Sequence, residues 1–226
     1  MNWIVISLGG GIINSRGSPN VEFIKKFSKL IKDSKNKFAI VTGGGKSARA
    51  YAQVARELGA NEFEADEIAI ISTLQNAVLI ALALKGEACP TIFSDFNKAK
   101  EAATKYRIIV MGGTIPGITT DSDAALLADA LGAKKLINLS NVDGIYNCNP
   151  KANANAKKYS KLNYDELIAL ATKNDARKAG TNFVFDILAC KIIARAKIEA
   201  HFINGKNLNE VKKAIEGKAH SGTVVK

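Results

Sequence analysis

Three apolar segments of this chain each end in a cluster of glycines, and this repetition constrains the fold more than any other feature. The segments with their glycine loops are Trp3–Gly11, Phe38–Gly45 and Arg107–Gly113. Apolar runs of four to eight residues bounded by glycine predict buried, parallel strands. A glycine directly after a strand lets the backbone turn sharply and present its N–H groups to an anion. Three such loops predict one crevice lined by phosphate-binding backbone, which indicates a nucleotide or phosphoryl-transfer site.

Strands and helices alternate along the whole chain. The predicted helices are Val21–Asp33, Ala48–Leu58, Asp66–Leu84, Phe96–Lys105, Asp121–Leu131, one capped by Asn163 and Glu166, and Phe183–Ala200. The predicted strands are Ile4–Leu8, one ending at Thr42, Thr91–Phe93, Ile108–Met111, Lys135–Leu139, His201–Ile203 and Thr223–Val225. A polar surface loop is predicted for Lys151–Lys161. This alternation predicts an α/β sandwich with a mostly parallel sheet, whose ligands bind beyond the carboxyl ends of the strands.

Length and composition predict a single globular domain over residues 1–226, with a lobe boundary near residues 105–108. Hydrophobic residues make up 47% of the 226 positions and charged residues 23%, which is typical of a soluble protein. The longest apolar run, Ala77–Leu84, is too short to span a bilayer. The three cysteines are widely spaced and odd in number, and no targeting segment is visible. We therefore expect a cytoplasmic protein without a membrane partner.

The formal net charge of +11 permits several partners. Its lysines are spread over the chain, and no basic run is interleaved with aromatic residues, so nucleic acid is not an expected partner. We attribute the charge to lysines on solvent-exposed helix faces, which would also attract anionic substrates. The only histidines, His201 and His220, lack carboxylate or cysteine neighbours at metal-ligand or triad spacing. No residues are therefore predicted as metal ligands.

The second loop partly matches two nucleotide-binding motifs. Gly45-Lys46-Ser47 resembles the end of a P-loop, but Ile40 stands where that motif needs a glycine. Gly43–Ala48 fits the relaxed dinucleotide pattern, with Asp66 about 20 residues further on. That pattern leaves the first and third loops unexplained, so a nicotinamide or flavin enzyme stays only an alternative.

Two further segments offer donors to a bound anion. Arg49 lies one turn into the helix after Gly45, where its guanidinium adds to the positive end of the helix. In Thr114–Asp121, a turn at Pro116-Gly117 is flanked by hydroxyl groups and a helix start. Both features fit an anionic ligand, although a surface arginine and a simple helix cap would explain parts of them.

At these residues the chain resembles the amino-acid kinase superfamily, and within it the archaeal-type uridylate kinases. The resemblance runs essentially end to end. Its landmarks are Ser7-Leu8-Gly9-Gly10, Val41–Gly45 with Arg49, Met111–Asp121 and Asn141–Tyr146. It implies a three-layer α/β/α sandwich with an open central sheet, phosphoryl transfer from ATP to UMP with Mg²⁺, and a homohexamer.

The resemblance also implies roles for individual residues. The N-terminal lobe would bind the acceptor and the C-terminal lobe the nucleotide. The ATP site would comprise Ser7, Leu8, Gly9, Gly10, Gly11, Gly45, Arg49, Ser140, Tyr146 and Asn149. The UMP site would comprise Gly44, Asp66, Thr114, Ile115, Pro116, Gly117, Ile118, Thr119 and Thr120, with Asp66 on the ribose hydroxyls. Phosphoryl transfer is mostly positioning and charge neutralisation, so the anionic UMP phosphate needs no general base.

The sequence departs from the family pattern at three places. Ser7 stands where many relatives carry a lysine, so we assign the catalytic charge to Arg49 with Lys46 or Lys191. Asn149-Pro150 replaces the usual Asp-Pro, and Asp186-Ile187-Leu188 replaces Asp-Pro-Leu.

Two other functions remain open. An isopentenyl phosphate kinase would share the fold but is expected to use a histidine near the second loop, and none precedes His201. A non-catalytic nucleotide- or oxyanion-binding relative could keep the glycine loops without the lysine. Amino-acid or carbamate kinases fit less well, because the Thr114–Thr120 loop does not resemble theirs.

Overall fold

The computed structural model describes residues 2–14, 17–148, 150, 153, 155–174 and 185–226. The strands are β1 Trp3–Leu8, β2 Lys37–Thr42, β3 Ala88–Phe93, β4 Ile108–Met111, β5 Lys135–Ser140, β6 Ile145–Tyr146, β7 Lys158–Tyr159, β8 Lys161–Leu162, β9 Glu199–Asn204 and β10 Thr223–Val225. The helices are α1 Gly10–Ile13, α2 Val21–Asp33, α3 Gly45–Glu57, α4 Glu62–Ala83, α5 Phe96–Ala102, α6 Thr120–Ala130, α7 Tyr164–Asn174, α8 Ile187–Ala196 and α9 Leu208–Ile215.

Eight strands form one sheet in the order β3-β4-β2-β1-β5-β9-β10-β8. The pairs from β3 to β9 are parallel, and β10 runs antiparallel to β9. β6 and β7 form a separate antiparallel hairpin. In the parallel part of the sheet, the carboxyl ends of β1, β2, β4 and β5 therefore meet at one edge, and all three glycine loops leave the sheet there.

Side-chain alternation along the strands divides the core into two layers. On β1, Ile4, Ile6 and Leu8 pack with α2, α4 and α9. Val5 points the other way and packs in the layer that contains α5, α6, α7 and α8. Helices thus cover both faces of a mostly parallel sheet, and the predicted three-layer α/β/α class is confirmed. The division into two lobes at residues 105–108 stays a prediction.

Three predicted boundaries were wrong for local reasons. α3 begins at Gly45 rather than Ala48, because the glycine loop itself enters the helix. α4 begins at Glu62 rather than Asp66, where Asn61 and Glu64 form a capping box. β3 extends back to Ala88 through Pro90, which a strand at the edge of a sheet tolerates.

Two errors lie in the C-terminal half. Lys151–Lys161 was predicted as a loop, but it contains β7 and the start of β8, two-residue strands that exist only through pairing. The helix predicted to reach Ala200 ends at Ala196, because Lys197 adopts a left-handed conformation with φ 50° and the chain then enters β9. Phe183 and the residue after it lie outside the described residues. The predicted cap of α7 is confirmed, since Asn163 and Glu166 exchange hydrogen bonds of 2.8 Å.

The 22-residue helix α4 is apolar nearly all round. It is the one helix in the described part of the chain that is long and apolar enough to cross a membrane, which is weak evidence for a membrane span. Two of its polar side chains form hydrogen bonds with the backbone of loops that leave the sheet. Asn76 donates to the carbonyl of Gly43 at 2.7 Å, and Thr73 Oγ1 accepts from the N–H of Gly113 at 2.7 Å. α4 thus fixes the backbone of the second and third glycine loops.

A histidine pair, with His201 buried and His220 half-buried, connects β9 to the segment before the C-terminal strand. Gly222 N–H donates to His220 Nδ1 at 3.1 Å, so His220 carries its proton on Nε2 and donates it to His201 Nδ1 at 2.8 Å. His201 Nε2 in turn lies 2.9 Å from Glu199 Oε1. Burial, together with nearby Lys135, lowers the pKa of His201 to about 4, and burial also lowers the pKa of His220. Both rings are therefore neutral when the chain is folded at neutral pH.

The contribution of His201 to stability is predicted to be lost in mild acid. Below pH 6.5 the unfolded chain protonates His201, whereas the folded chain resists protonation until about pH 4. The contribution of His201 to stability is therefore unchanged above pH 7 and decreases by up to about 3 kcal/mol as the pH drops from 6.5 to 4. Asp121 and Asp123, whose pKa values are raised in the folded chain, contribute with the opposite sign over this range. Urea unfolding at several pH values measures this. Between pH 6.5 and 4, His201→Gln should lose less stability, or gain more, than the original protein. Equal pH slopes for the two proteins would contradict the prediction.

Candidate active site

A cleft of about 490 Å³ lies at the edge of the sheet where the glycine loops meet. Its walls come from all three loops, from α3, α4 and α6, and from the end of β5. The predicted site residues that line it are Gly9, Gly10, Gly11, Gly44, Gly45, Arg49, Asp66, Ile115, Ile118, Thr119, Thr120 and Ser140. The tertiary structure thus brings residues from the predicted ATP and UMP sites to one cavity.

The first and second glycine loops are in direct backbone contact. A Cβ atom added to Gly10 would lie 2.2 Å from the N atom of Gly45 and 2.4 Å from the O atom of Gly43. One added to Gly45 would lie 2.5 Å from the O atom of Gly10, and Gly45 has a φ of +70°. Side chains are excluded from this contact, so the loops present backbone N–H groups beside the start of α3. This arrangement favours an anion.

Arg49 lines the cleft from the second turn of α3 and is exposed. Among the described residues it forms no ion pair and no side-chain hydrogen bond. Lys46 is exposed on the same helix and Lys191 is exposed on α8, and neither lines the cleft. Among the described residues that line the cleft, Arg49 is therefore the cationic side chain that can contact an anion in the cavity.

The loop between β4 and α6 is anchored by Asp66. Its Oδ2 accepts a hydrogen bond of 2.8 Å from the N–H of Gly117, which has a φ of +88°. The carboxylate predicted to hold ribose hydroxyls therefore also fixes the turn at Pro116-Gly117. The prediction from sequence did not include this second contact.

Asp121 is the main feature of the site that sequence reasoning left out of the predicted contacts. It lies in the first turn of α6 and lines the cleft. Its Oδ1 accepts from Ser7 Oγ at 2.6 Å and from Asn138 Nδ2 at 2.8 Å. Burial, opposed by these hydrogen bonds and reinforced by Asp186 and Asp123, raises the pKa of Asp121 to about 7.

Two more carboxylates surround the same helix start. Thr114 Oγ1 donates to Asp123 at 2.6 Å, and burial raises the pKa of Asp123 to about 6. Asp186 caps α8 by accepting from the N–H of Ala189 at 2.9 Å, and it also accepts from Ser122 Oγ at 2.9 Å and from Thr119 Oγ1. Among the described residues these carboxylates have hydroxyl, amide and backbone partners but no ion pair.

Six other predicted residues do not line the cavity: Ser7, Leu8, Thr114, Pro116, Gly117 and Tyr146. Ser7 and Leu8 are buried in β1, so Leu8 can offer only its backbone. Tyr146 lies on the β6–β7 hairpin and donates to Asp143 Oδ1 at 2.8 Å, a bond that raises the pKa of Tyr146. Lys158 also pairs with Asp143 at 2.8 Å. Asn149 lies outside the described residues.

Four residues that the sequence reasoning missed hold or line the site: Thr73, Asn76, Asp121 and Asn138. Thr73 and Asn76 are polar residues three positions apart in an apolar helix, and Asn138 interrupts an apolar strand. Buried polar residues in such positions are a signal that the sequence offers, because each needs a hydrogen-bond partner.

The chain was compared with known proteins. Residues 2–204 match the model of the Amino acid kinase family. The uridylate kinases of Archaeoglobus fulgidus and Thermococcus kodakarensis are each 43% identical to it over 224 residues, covering 98% of this chain and 99% and 98% of those proteins. The crystal structure of the Archaeoglobus fulgidus uridylate kinase has a TM-score of 0.87 at 41% identity and covers 100% of both chains. A UMP kinase structure from Bacillus anthracis, 23% identical and covering 99% of this chain and 95% of that one, has a TM-score of 0.83 and supports the fold.

The chain therefore belongs to the amino acid kinase family. Within that family it is similar over nearly its whole length to uridylate kinases of archaea.

The contact between the glycine loops predicts unequal losses of stability for two neighbouring substitutions. Gly10→Ala places a methyl group against the backbone of the second loop and should destabilise the protein by about 1–3 kcal/mol. Gly11→Ala meets no atom within 4 Å and should change stability by less than about 1 kcal/mol. Urea unfolding of both variants measures the difference. Equal stabilities would show that the loops separate without cost.

Proposed function

We propose that this chain is a UMP kinase that transfers the γ-phosphoryl group of ATP to UMP, giving ADP and UDP, in pyrimidine nucleotide biosynthesis. The observation that carries the proposal is the near-full-length similarity to archaeal uridylate kinases. The cleft gives it a physical basis, because two phosphorylated substrates must meet in line in one cavity. The backbone loops and Arg49 around that cavity fit this requirement.

The donor phosphates would lie on the first and second glycine loops. Backbone N–H groups there and the positive end of α3 would stabilise the phosphate oxygens. Arg49 would add a bidentate donor at the same place. The nucleoside would lie toward Ser140 and Tyr146, with Asn149 as a further predicted contact.

The acceptor UMP would lie against Gly44 and the Thr114–Thr120 loop. Asp66 supports this assignment, because it lines the cleft and fixes the loop through Gly117. The phosphate of UMP is already an anionic nucleophile, so the chain needs to orient it and offset repulsion rather than remove a proton.

Mg²⁺ is expected with ATP, and when bound it neutralises charge on the transferred phosphate. The cleft contains the carboxylate of Asp121, a hard oxygen donor that suits this ion. Lys46 and Lys191 remain proposed sources of additional positive charge. Their exposed positions on α3 and α8 would have to move toward the phosphates for this role.

We also propose a cytoplasmic homohexamer with no nucleic-acid or membrane partner. Exposed apolar side chains on the adjacent helices α3 and α4 support self-association, since an apolar surface of this kind marks an interface. These side chains are Tyr51, Val54, Phe63, Ile71, Val78 and Leu82.

An acceptor panel tests the proposed function. ADP formation from ATP and Mg²⁺ should occur with UMP and be far slower with AMP or isopentenyl phosphate, while CMP measures selectivity for the base. Turnover with isopentenyl phosphate instead of UMP would show that the proposed acceptor is wrong. Binding of ATP or UMP without turnover on any acceptor would place the chain among non-catalytic relatives, with Ser7 in place of lysine as the physical reason.

Arg49→Ala should lower turnover with UMP at least tenfold, equivalent to about 1.4 kcal/mol of transition-state stabilisation. The reason is loss of the guanidinium that faces the phosphates. Arg56→Ala is the matched control, because Arg56 lies on the same helix and pairs with Glu62 at 2.7 Å outside the cleft. Steady-state kinetics of both variants decide the matter, and equal activities would remove Arg49 from the mechanism.

A further inference from the structure

The β6–β7 hairpin, which carries Tyr146, is too small to fix its own position. Each of its strands has two residues. An isolated hairpin of two strands is at best marginally stable in water, even when its strands are longer. The hairpin follows β5, whose last residue, Ser140, lines the cleft. The orientation of Tyr146 relative to the cleft therefore depends on contacts that other residues make with the hairpin.

One such contact comes from the C-terminal strand β10. Thr223 is fully buried, and its hydroxyl accepts a hydrogen bond of 2.8 Å from the N–H of Ile145. The same hydroxyl donates to the carbonyl oxygen of Tyr159. Ile145 and Tyr159 are register partners on β6 and β7. A single hydroxyl group thus contacts the backbone of both strands of the hairpin.

Thr223 is itself held in the main sheet. It is the register partner of Phe202 on β9, and the residues that follow it in β10 also pair with β8. Val225, two positions further on, is fully buried in the hydrophobic core. The hydrogen bonds of Thr223 therefore connect the hairpin to the main sheet.

Another contact joins two side chains of the hairpin to one carboxylate. Tyr146 and Lys158 are register partners, and both donate to Asp143. Tyr146 Oη lies 2.8 Å from Oδ1, and Lys158 Nζ lies 2.8 Å from Oδ2. The side chains of Lys158 and Asp143 are 29% and 46% exposed. An ion pair this exposed adds little to folding stability, so its main effect is on the orientation of the groups that share the carboxylate.

The two contacts act on adjoining residues. Gly144 lies between Asp143 and Ile145 in the chain. A Cβ atom added to Gly144 would lie 2.7 Å from Thr223 Oγ1 and 2.9 Å from Lys158 Cδ. The backbone at Gly144 is thus packed against both side chains, and the contacts together fix the segment that leads into Tyr146.

We propose that Thr223 and Lys158 are positioning residues for the donor nucleotide, which hold the β6–β7 hairpin so that Tyr146 faces the nucleoside of ATP. This inference rests on the proposed function, which places that nucleoside toward Tyr146. Thr223 acts through the backbone of the hairpin, and Lys158 acts through Asp143. The C-terminal strand thus contributes to nucleotide affinity, although none of its residues lines the cleft.

Calorimetric titration of the intact protein with ADP tests the role of Thr223 without turnover. Thr223→Val keeps a similar shape but removes the hydroxyl. It should weaken ADP binding about tenfold, because ordering a loosened hairpin then opposes binding. Thr223→Ser retains the hydroxyl and should bind ADP within about twofold of the original protein. UMP affinity should stay within about twofold in both variants, since the predicted UMP contacts lie on other loops. Thermal unfolding verifies that both variants are folded.

A pair of lysine variants tests the second contact at the surface. Lys158→Met removes the ammonium group but keeps the length of the side chain. It should weaken ADP binding about fivefold, because Asp143 then no longer fixes Tyr146 against β7. Lys157→Met is the matched control with the same loss of charge, since Lys157 is exposed and forms no ion pair among the described residues. Its ADP affinity should stay within about twofold of the original. If Thr223→Val does not fold, this pair decides the question.

A double-mutant cycle separates positioning of Tyr146 from a general loss of structure. Tyr146→Ala should itself weaken ADP binding, and adding Lys158→Met to it should change the affinity by less than about twofold, because Lys158 acts through Tyr146. A fivefold further loss in the double variant would overturn the proposal. Unchanged ADP affinity in Tyr146→Ala, or in both Thr223→Val and Lys158→Met, would overturn it as well.

Failure of the proposed function gives a different result. The acceptor panel would then show no turnover with UMP, while ADP binding and its dependence on Thr223 and Lys158 would remain. Absence of ADP binding to the original protein would overturn both proposals. The two failures are therefore distinguishable.

Discussion

The site depends on a contact in which no side chain takes part. Gly10 meets Gly43 and Gly45 so closely that a single methyl group would overlap backbone atoms. This contact brings together the loops that follow two neighbouring strands, and both loops line the cleft. It also leaves N–H groups, rather than side chains, facing the cavity. An anion can therefore approach the backbone and the start of α3 directly.

The first turn of α6 is the second organising element. Asp121 connects this turn to β1 and β5. Asp123 connects it to the Thr114–Thr120 loop, the predicted acceptor loop. Ser122 connects it to Asp186 at the start of α8. The turn thus joins the predicted acceptor and donor sides by hydrogen bonds. These hydrogen bonds couple the position of the acceptor loop to that of α8.

Local charge in the cleft contrasts with the charge of the whole chain. The net charge of +11 is distributed over exposed lysines and attracts phosphorylated ligands from a distance. The cleft instead contains the half-buried carboxylate of Asp121, and Asp123 is buried nearby on the same helix. Burial and repulsion from neighbouring carboxylates raise the pKa values of both groups. The charge inside the cleft therefore cannot be inferred from the net charge of the chain.

The sequence by itself determined the fold class and the glycine loops, because buried parallel strands and tight turns leave short-range patterns. It also located Arg49 and the Thr114–Thr120 loop, which follow those patterns directly. Only the tertiary structure decided that Ser7, Asp121 and Asn138 meet, since they are up to 131 positions apart in sequence (from 7 to 138) and come together through strand register. Two-residue strands such as β7 were likewise decided by pairing, because segments that short have no periodicity of their own.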